Sequence, residues 1–189
     1  MDSPEQYYQR FRQGDEGALV SLLEAYRDGL MLYRDGLMLY LNGIVSDLTV
    51  AEDLTEDTFL KLVLKKPRFS AKSSFKTWLY TIGRNLAMDH LRRGTRKELP
   101  LESCTEADEY DLEERYIRQD DHRVIHRSMK TLKQEYRQVL WLIYFEGFSC
   151  AEAGKIMGKS TENTQTLVSR ARKALKTKLL EEGFVYENL

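Results

Sequence analysis

Apolar positions recur at intervals of three and four along most of the chain. Trp78, Leu79, Ile82 and Leu86 form one such stripe, and the segment 51–63 carries apolar Leu54, Phe59, Leu62 and Val63. A helix turns once in about 3.6 residues, so this spacing gathers apolar side chains on one face. No segment alternates apolar and polar residues as a half-buried strand does. The pattern predicts helices over 3–12, 15–43, 49–65, 74–93, 115–131, 133–146, 149–157 and 161–181. Pro67 and Pro100 fall between predicted helices, where the missing N–H does least harm. Thr49 and Glu52 have the spacing of a capping box at a helix start. Ser149 and Glu152 share that spacing, but they precede a weakly apolar run and are not read as a comparable box. The expected fold class is all-α: two small helical domains joined by a flexible acidic linker.

Within the second predicted helix, YRDGLML at 26–32 is followed at once by YRDGLML at 33–39. Seven residues make nearly two helical turns, with a phase error of ~20°. A second heptad therefore keeps the same face inward while lengthening a helix by about 10 Å. The alternative is that one copy bulges out at Gly29 or Gly36, since each glycine costs ~1 kcal/mol in a helix. Two copies are too few for a solenoid, so the repeat reads as a duplication within one helix.

Charge changes the picture. The net charge of −1 conceals strong segregation. Between Lys65 and Lys97 the only acid is Asp89; between Glu98 and Glu114 there is no base; between Lys155 and Lys178 the only acid is Glu162. Two basic blocks flanking an acidic spacer suggest two nucleic-acid contacts joined by a solvated linker. The domain reading is therefore 1–95, a flexible acidic linker over 96–116, and 117–189. A hydrophobic content of 42% with 31% charged residues fits a soluble globular chain. No run of about 18 apolar residues offers a membrane span. The polar, acidic N-terminus is not read as a secretory signal. Cys104 and Cys150 have neither a disulfide framework nor a zinc spacing around them, which fits a reducing cytoplasm. No metal or cofactor is expected. His122 and His126 stand four apart but lack a third ligand, and no phosphate-cradling glycine loop or nucleophile motif appears.

Two elements carry nucleic-acid chemistry. In the first, Phe69, Phe75, Trp78 and Tyr80 are interleaved with Lys66, Arg68, Lys72 and Lys76. An aromatic face stacked on an unpaired base gains ~1–3 kcal/mol whatever the base. Ser73 and Ser74 would line a pocket for an extruded base, Asn85 would add amide contacts, and Arg92 and Arg93 close the helix with positive charge. The plainer reading makes Trp78, Leu79, Ile82 and Leu86 a core stripe, and Trp78 is open to both. In the second element, 148–175, a short helix with Ala151, Ala153 and Gly154 precedes a turn at Gly158 and Ser160, then a longer polar helix. This is the outline of a helix-turn-helix, whose second helix enters the major groove. Gln165, Thr166, Ser169 and Arg170 would face base edges, with Arg172, Lys173 and Lys176 toward phosphates. A third segment, 51–63, is acidic at Glu52, Asp53, Glu56 and Asp57. It suits docking to a basic protein better than binding DNA.

Together these segments resemble the extracytoplasmic-function (ECF) branch of the sigma-70 family. The resemblance rests on AEDLTEDTFLKL at 51–62, on FSAKSSFKTWLYTIGRNLAMDHLRR at 69–93, and on the stretch from Leu132 to Leu175 with its SRARKAL ending. It implies an RNA polymerase sigma factor that directs promoter-specific initiation and melts DNA. Polymerase would dock through Asp53, Glu56, Asp57 and Phe59. The −10 element would meet Lys72, Ser73, Ser74, Phe75, Lys76, Trp78, Asn85, Arg92 and Arg93. The −35 element would meet Gln165, Thr166, Ser169, Arg170, Arg172 and Lys173 in a winged-helix-like, four-helix C-terminal domain. The implied partners are bacterial RNA polymerase core, promoter DNA and an anti-sigma protein, in this family often membrane-anchored. The chain is not expected to be an enzyme or to insert in a membrane. Ala153 and Gly154 stand where the family usually has isoleucine and alanine, a change expected to loosen the first helix of the helix-turn-helix. The rival reading is a helix-turn-helix regulator that acts without polymerase. It leaves the aromatic–basic loop and the acidic helix idle.

Overall fold

The structure, a computed structural model, describes residues 3–25, 27–70, 72–94, 125 and 128–181; the side chains of 23–33 lie outside that description. Every regular element among the described residues is helical. The chain divides into two compact units, Met1–Leu99 and Pro100–Leu189.

The first unit contains α1 (Pro4–Arg12), α2 (Glu16–Ala25), α3 (Arg27–Val45), α4 (Leu48–Lys65) and α5 (Phe75–Gly94). Helix α1 begins in a reciprocal capping box between Ser3 and Gln6, with proline in its first turn. Helices α3, α4 and α5 pack on one another, and α1 packs on α2. Their shared core holds Leu37, Leu41, Ala51, Leu79 and Tyr80, all essentially without exposure. Helix α4 turns Ala51, Leu54, Thr55, Thr58 and Leu62 inward. The two buried threonine hydroxyls are satisfied within the helix, donating to the carbonyls of Ala51 and Leu54 at 2.7 Å each. Gly83 lets the three helices approach closely: a Cβ there would stand 3.0 Å from Leu37 Cδ1 and 3.3 Å from Thr58 Oγ1.

Two sequence expectations are corrected by the caps. Helix α4 is capped by Asp47, whose carboxylate accepts from Val50 N–H at 3.0 Å, and not by Thr49. Ser46 takes a left-handed conformation at φ 57° just before it, which turns the chain out of α3 and leaves Asp47 at the start. Conversely, Ser149 and Glu152 do form a complete capping box. The local serine–glutamate geometry was sufficient without a strongly apolar run behind it.

Both YRDGLML copies have helical backbone from Arg27 onward, so the heptad lengthens α3 and neither copy bulges. In the second copy Leu37, Met38 and Leu39 are buried, and Arg34 pairs with Glu52 of α4 at 2.9 Å. The single helix expected over 15–43 is met by α2 and α3, with Tyr26 between them outside the described residues.

In the second unit, residues 128–130 are helical and α6 (Gln134–Leu140) runs on into a π turn at Trp141–Phe145. The π turn stacks the Trp141 and Phe145 rings at 4.5 Å. Next come α7 (Cys150–Met157) and α8 (Thr161–Glu181). Helix α8 packs on both α6 and α7. The acidic linker expected at 96–116, with Cys104, His122 and His126, lies outside the described residues.

Candidate nucleic-acid interface

The turn between α7 and α8 is tight for identifiable reasons. Gly158 caps α7 in the left-handed region at φ 66°, where glycine carries no Cβ penalty. Lys159 N–H then donates back to the Gly154 carbonyl at 2.8 Å. A Cβ on Gly154 would lie 2.9 Å from both Lys159 O and Thr164 Oγ1. Gly154 therefore lets the turn and the start of α8 close against α7, as small residues at this crossing should, and not with the loosening expected from its departure from the family pattern. Ser160 accepts from Asn163 N–H at 3.2 Å, and buried Thr164 donates to the Ser160 carbonyl at 2.8 Å, which fixes the register of α8.

That register settles which side of α8 is covered. Thr164, Ala171 and Leu179 are buried, whereas Gln165, Thr166, Ser169, Arg170, Arg172 and Lys173 are all exposed. At about 100° per residue, Ser169 and Lys173 lie at the centre of the outward face. Gln165 and Thr166 flank them, with Arg172 and Arg170 at its two edges. Thr166 donates to the Glu162 carbonyl at 3.0 Å. Backbone and Ser160 hydrogen bonds hold the exposed Glu162 carboxyl below its ordinary range.

The first unit's basic element is partly core. Phe75, Phe69 and Tyr80 are 3%, 6% and 0% exposed. The base-stacking role expected of Phe75 is therefore withdrawn. Its ring lies 5.7 Å from Tyr8 and from Trp78, inside an aromatic cluster that also includes Phe69. Trp78 is half-buried: it packs on Tyr8 at 5.1 Å and on Phe69 at 5.3 Å, yet keeps part of its surface open. Trp78, Asn85 and Arg92 follow at spacings of seven and so share one side of α5. Asn85, Arg92 and Arg93 are exposed, and Arg92 pairs with Asp89 at 2.8 Å. Lys76 is not brought to that side: it lies nearly opposite on the helix, with its ammonium 5.7 Å from the Tyr80 ring. Lys72 and Ser74 are exposed and Ser73 half-buried. Ser74 also has a structural task, because its hydroxyl accepts from Thr77 N–H at 3.2 Å at the start of α5.

The loop before α5 is tied to α1. Tyr8 Oη donates to the Pro67 carbonyl at 3.0 Å, and Arg12 Nε donates to the Lys66 carbonyl at 3.0 Å. At the loop's other end, Phe75 N–H donates to Glu5 Oε1 at 2.9 Å. Lys66 sits in the left-handed region at φ 42° with its ammonium 4.1 Å from the Phe11 ring. Burial pushes the Tyr8 phenol up to about 12, against the opposing charge of Arg12. Burial would raise the Glu5 carboxyl, but the Phe75 N–H, its own N–H and Ser3 together bring it below the ordinary range. Sequence reasoning missed all three anchors, because nothing in the local pattern links residue 5 to residue 75.

On α4, Asp53, Glu56 and Asp57 are exposed, whereas Phe59 is half-buried and off their stripe. Leu60 and Leu64, 52% and 72% exposed, continue that stripe. The spacing 53, 57, 60, 64 carries this signal in the sequence, where Leu60 and Leu64 were not singled out. Among the described residues no cluster of three or more His, Cys, Asp and Glu side chains could hold a metal ion. No described helix is long and apolar enough to cross a membrane.

Residues 31–97 match the family model described as Sigma-70 region 2, and residues 122–175 match Sigma-70, region 4. The probable RNA polymerase sigma-C factor of Mycobacterium bovis is 33% identical over 141 residues, covering 69% of this chain and 71% of that protein. RNA polymerase sigma factor YlaC of Bacillus subtilis is 33% identical over 142 residues, 71% of this chain and 82% of its own. Among solved structures, the sigma factor RpoE of Bartonella quintana, in complex with the anti-sigma factor NepR, aligns with a TM-score of 0.61 at 25% identity. That alignment covers 82% of this chain and 97% of RpoE.

Proposed function

The chain belongs to the extracytoplasmic-function branch of the sigma-70 family and is an RNA polymerase sigma factor that directs promoter-specific transcription initiation; from that premise we propose how the work is divided among its surfaces. The observation that carries the proposal is the outward face of α8. Gln165, Thr166, Ser169 and Arg170 read the −35 element in the major groove, while Arg172 and Lys173 hold phosphates. All six are exposed on a helix whose other side is core.

In the first unit, Lys72, Ser73, Ser74, Trp78, Asn85, Arg92 and Arg93 hold the separated −10 strand. Trp78 offers the one partly open aromatic surface of its cluster, and the arginines attract the backbone. Asp53, Glu56 and Asp57 dock on the basic surface of a polymerase subunit, with exposed Leu60 and Leu64 supplying apolar contact between them. The proposed domain limits remain 1–95 and 117–189 with 96–116 as linker; the two family matches, 31–97 and 122–175, leave 98–121 between them. The chain works in the cytoplasm, where polymerase and promoter are, and is itself no enzyme; its relatives are sigma factors, which are not enzymes. An anti-sigma protein is its natural restraint, as NepR is found on RpoE. A regulator independent of polymerase leaves the Sigma-70 region 2 match without a role.

The charge-reversed variant D53K/D57K tests the docking surface. Both residues are exposed, so the fold should be kept and affinity for bacterial core polymerase should fall at least tenfold in a fluorescence titration. Unchanged core affinity would remove α4 from the interface.

A further inference from the structure

Helix α1 lies ahead of residue 31, where the region 2 match begins. It nevertheless grips both ends of the loop that precedes α5. Arg12 and Tyr8 donate to the carbonyls of Lys66 and Pro67 at the loop's entry, and Glu5 accepts from the Phe75 N–H at its exit. Between these anchors stand exposed Arg68, Ser70, Lys72 and Ser74. Tyr8, only 1% exposed, also supplies the ring that covers Phe75 and one face of Trp78. Within the loop, Lys72 N–H donates to the Ser70 carbonyl at 2.6 Å, and buried Phe69 packs on Phe75 and Trp78. Lys66 moreover adopts a left-handed conformation that strains a non-glycine residue. Such a conformation persists only where its surroundings over-determine it. The Arg12 bond to the Lys66 carbonyl and the Phe11 ring under its ammonium do so here.

We propose that α1 is a positioning element for promoter recognition: Glu5, Tyr8 and Arg12 touch neither DNA nor polymerase, but set the shape in which the 66–74 loop and the open side of Trp78 meet the −10 strand. This rests on the reading that the loop binds that strand. The three side chains hydrogen-bond backbone groups at both ends of the loop. Their loss frees the loop to sample shapes that bind single strands through charge alone, so discrimination among sequences falls while charge-driven binding remains.

The test uses holoenzyme, assembled from the full chain and bacterial core polymerase, with fluorescent single strands carrying either the preferred −10 sequence or a scrambled one. The preferred sequence is defined beforehand by sequencing transcripts from a random-promoter library. Y8F keeps the ring and removes the hydroxyl; E5A removes the acceptor; E5Q restores one. A hydrogen bond of ordinary net strength corresponds to about three- to tenfold. Y8F and E5A should lower the ratio of preferred to scrambled affinity by that factor, well below their thermal midpoints, with core affinity unchanged, and E5Q should restore it. An unchanged ratio in Y8F and E5A overturns the proposal, provided that R68A/K72A weakens −10 binding. If R68A/K72A leaves −10 binding intact, the underlying reading of the loop fails, and the positioning role falls with it. A parallel fall in core affinity and −10 affinity, tracking lost thermal stability, would show general support of the fold instead.

Discussion

Arg170 and Arg172 are two positions apart yet point about 160° away from each other around α8. Both are exposed. They stand at the two edges of the outward face, and the proposed reading gives them separate tasks. Arg170, on the side shared with Thr166, is the one assigned to base edges. R170A should cost ~1–3 kcal/mol on duplex carrying the preferred −35 sequence and little on scrambled duplex. Equal losses on the two, measured by anisotropy at fixed salt, would make it a phosphate contact. At this scale the sequence was most legible where the helix is polar throughout. All six residues chosen on α8 are exposed, because nothing on that face competes to be core. It was least legible among aromatics. Phe75 and Trp78 stand three apart and share a side, but the ring that packs on both is Tyr8, on a helix some seventy positions earlier. Helical spacing says which residues share a side, not which side another element will cover.

Among elements, the α7–α8 turn is the most tightly determined. A methyl group on Gly154 would stand 2.9 Å from a backbone carbonyl and from Thr164 Oγ1, neither of which can move without opening the turn. G154A should therefore destabilise the second unit by about 1–3 kcal/mol, as overpacking does, and weaken −35 duplex binding. A thermal midpoint equal to the parent's would mean that the turn yields. The loosening expected from the departure from the family pattern does not occur, because close approach of the backbone controls this position. The heptad in α3 is the contrary case, where period alone predicted the outcome. Because seven residues nearly complete two turns, the second copy keeps Leu37, Met38 and Leu39 inward. Deleting residues 26–32 should leave the fold intact and its thermal midpoint equal or higher, read by circular dichroism. A loss of helicity well beyond seven residues would show that the long α3 is required. The caps show where short patterns mislead: two plausible boxes were judged by the apolar run behind them, whereas the choice at α4 was made by the left-handed Ser46 just before it.

For the whole molecule, the decisive information was the order of charges along the chain. Two basic blocks separated by an acidic stretch anticipated two DNA contacts, and the family matches fall at 31–97 and 122–175, over those blocks. A net charge of −1 carries none of this. What the sequence did not expose is the long-range tie between α1 and the loop, since three contacts across more than fifty positions leave no local period. The central claim is that this chain brings polymerase to promoters through two DNA contacts acting together. Run-off transcription tests it most directly: purified chain with bacterial core polymerase on a random-promoter library, with the transcripts sequenced. The account predicts discrete start sites, each behind a shared motif in two parts, one near −10 and one near −35. Core polymerase that starts at the same positions with and without the chain, and a chain that does not bind core, would contradict it.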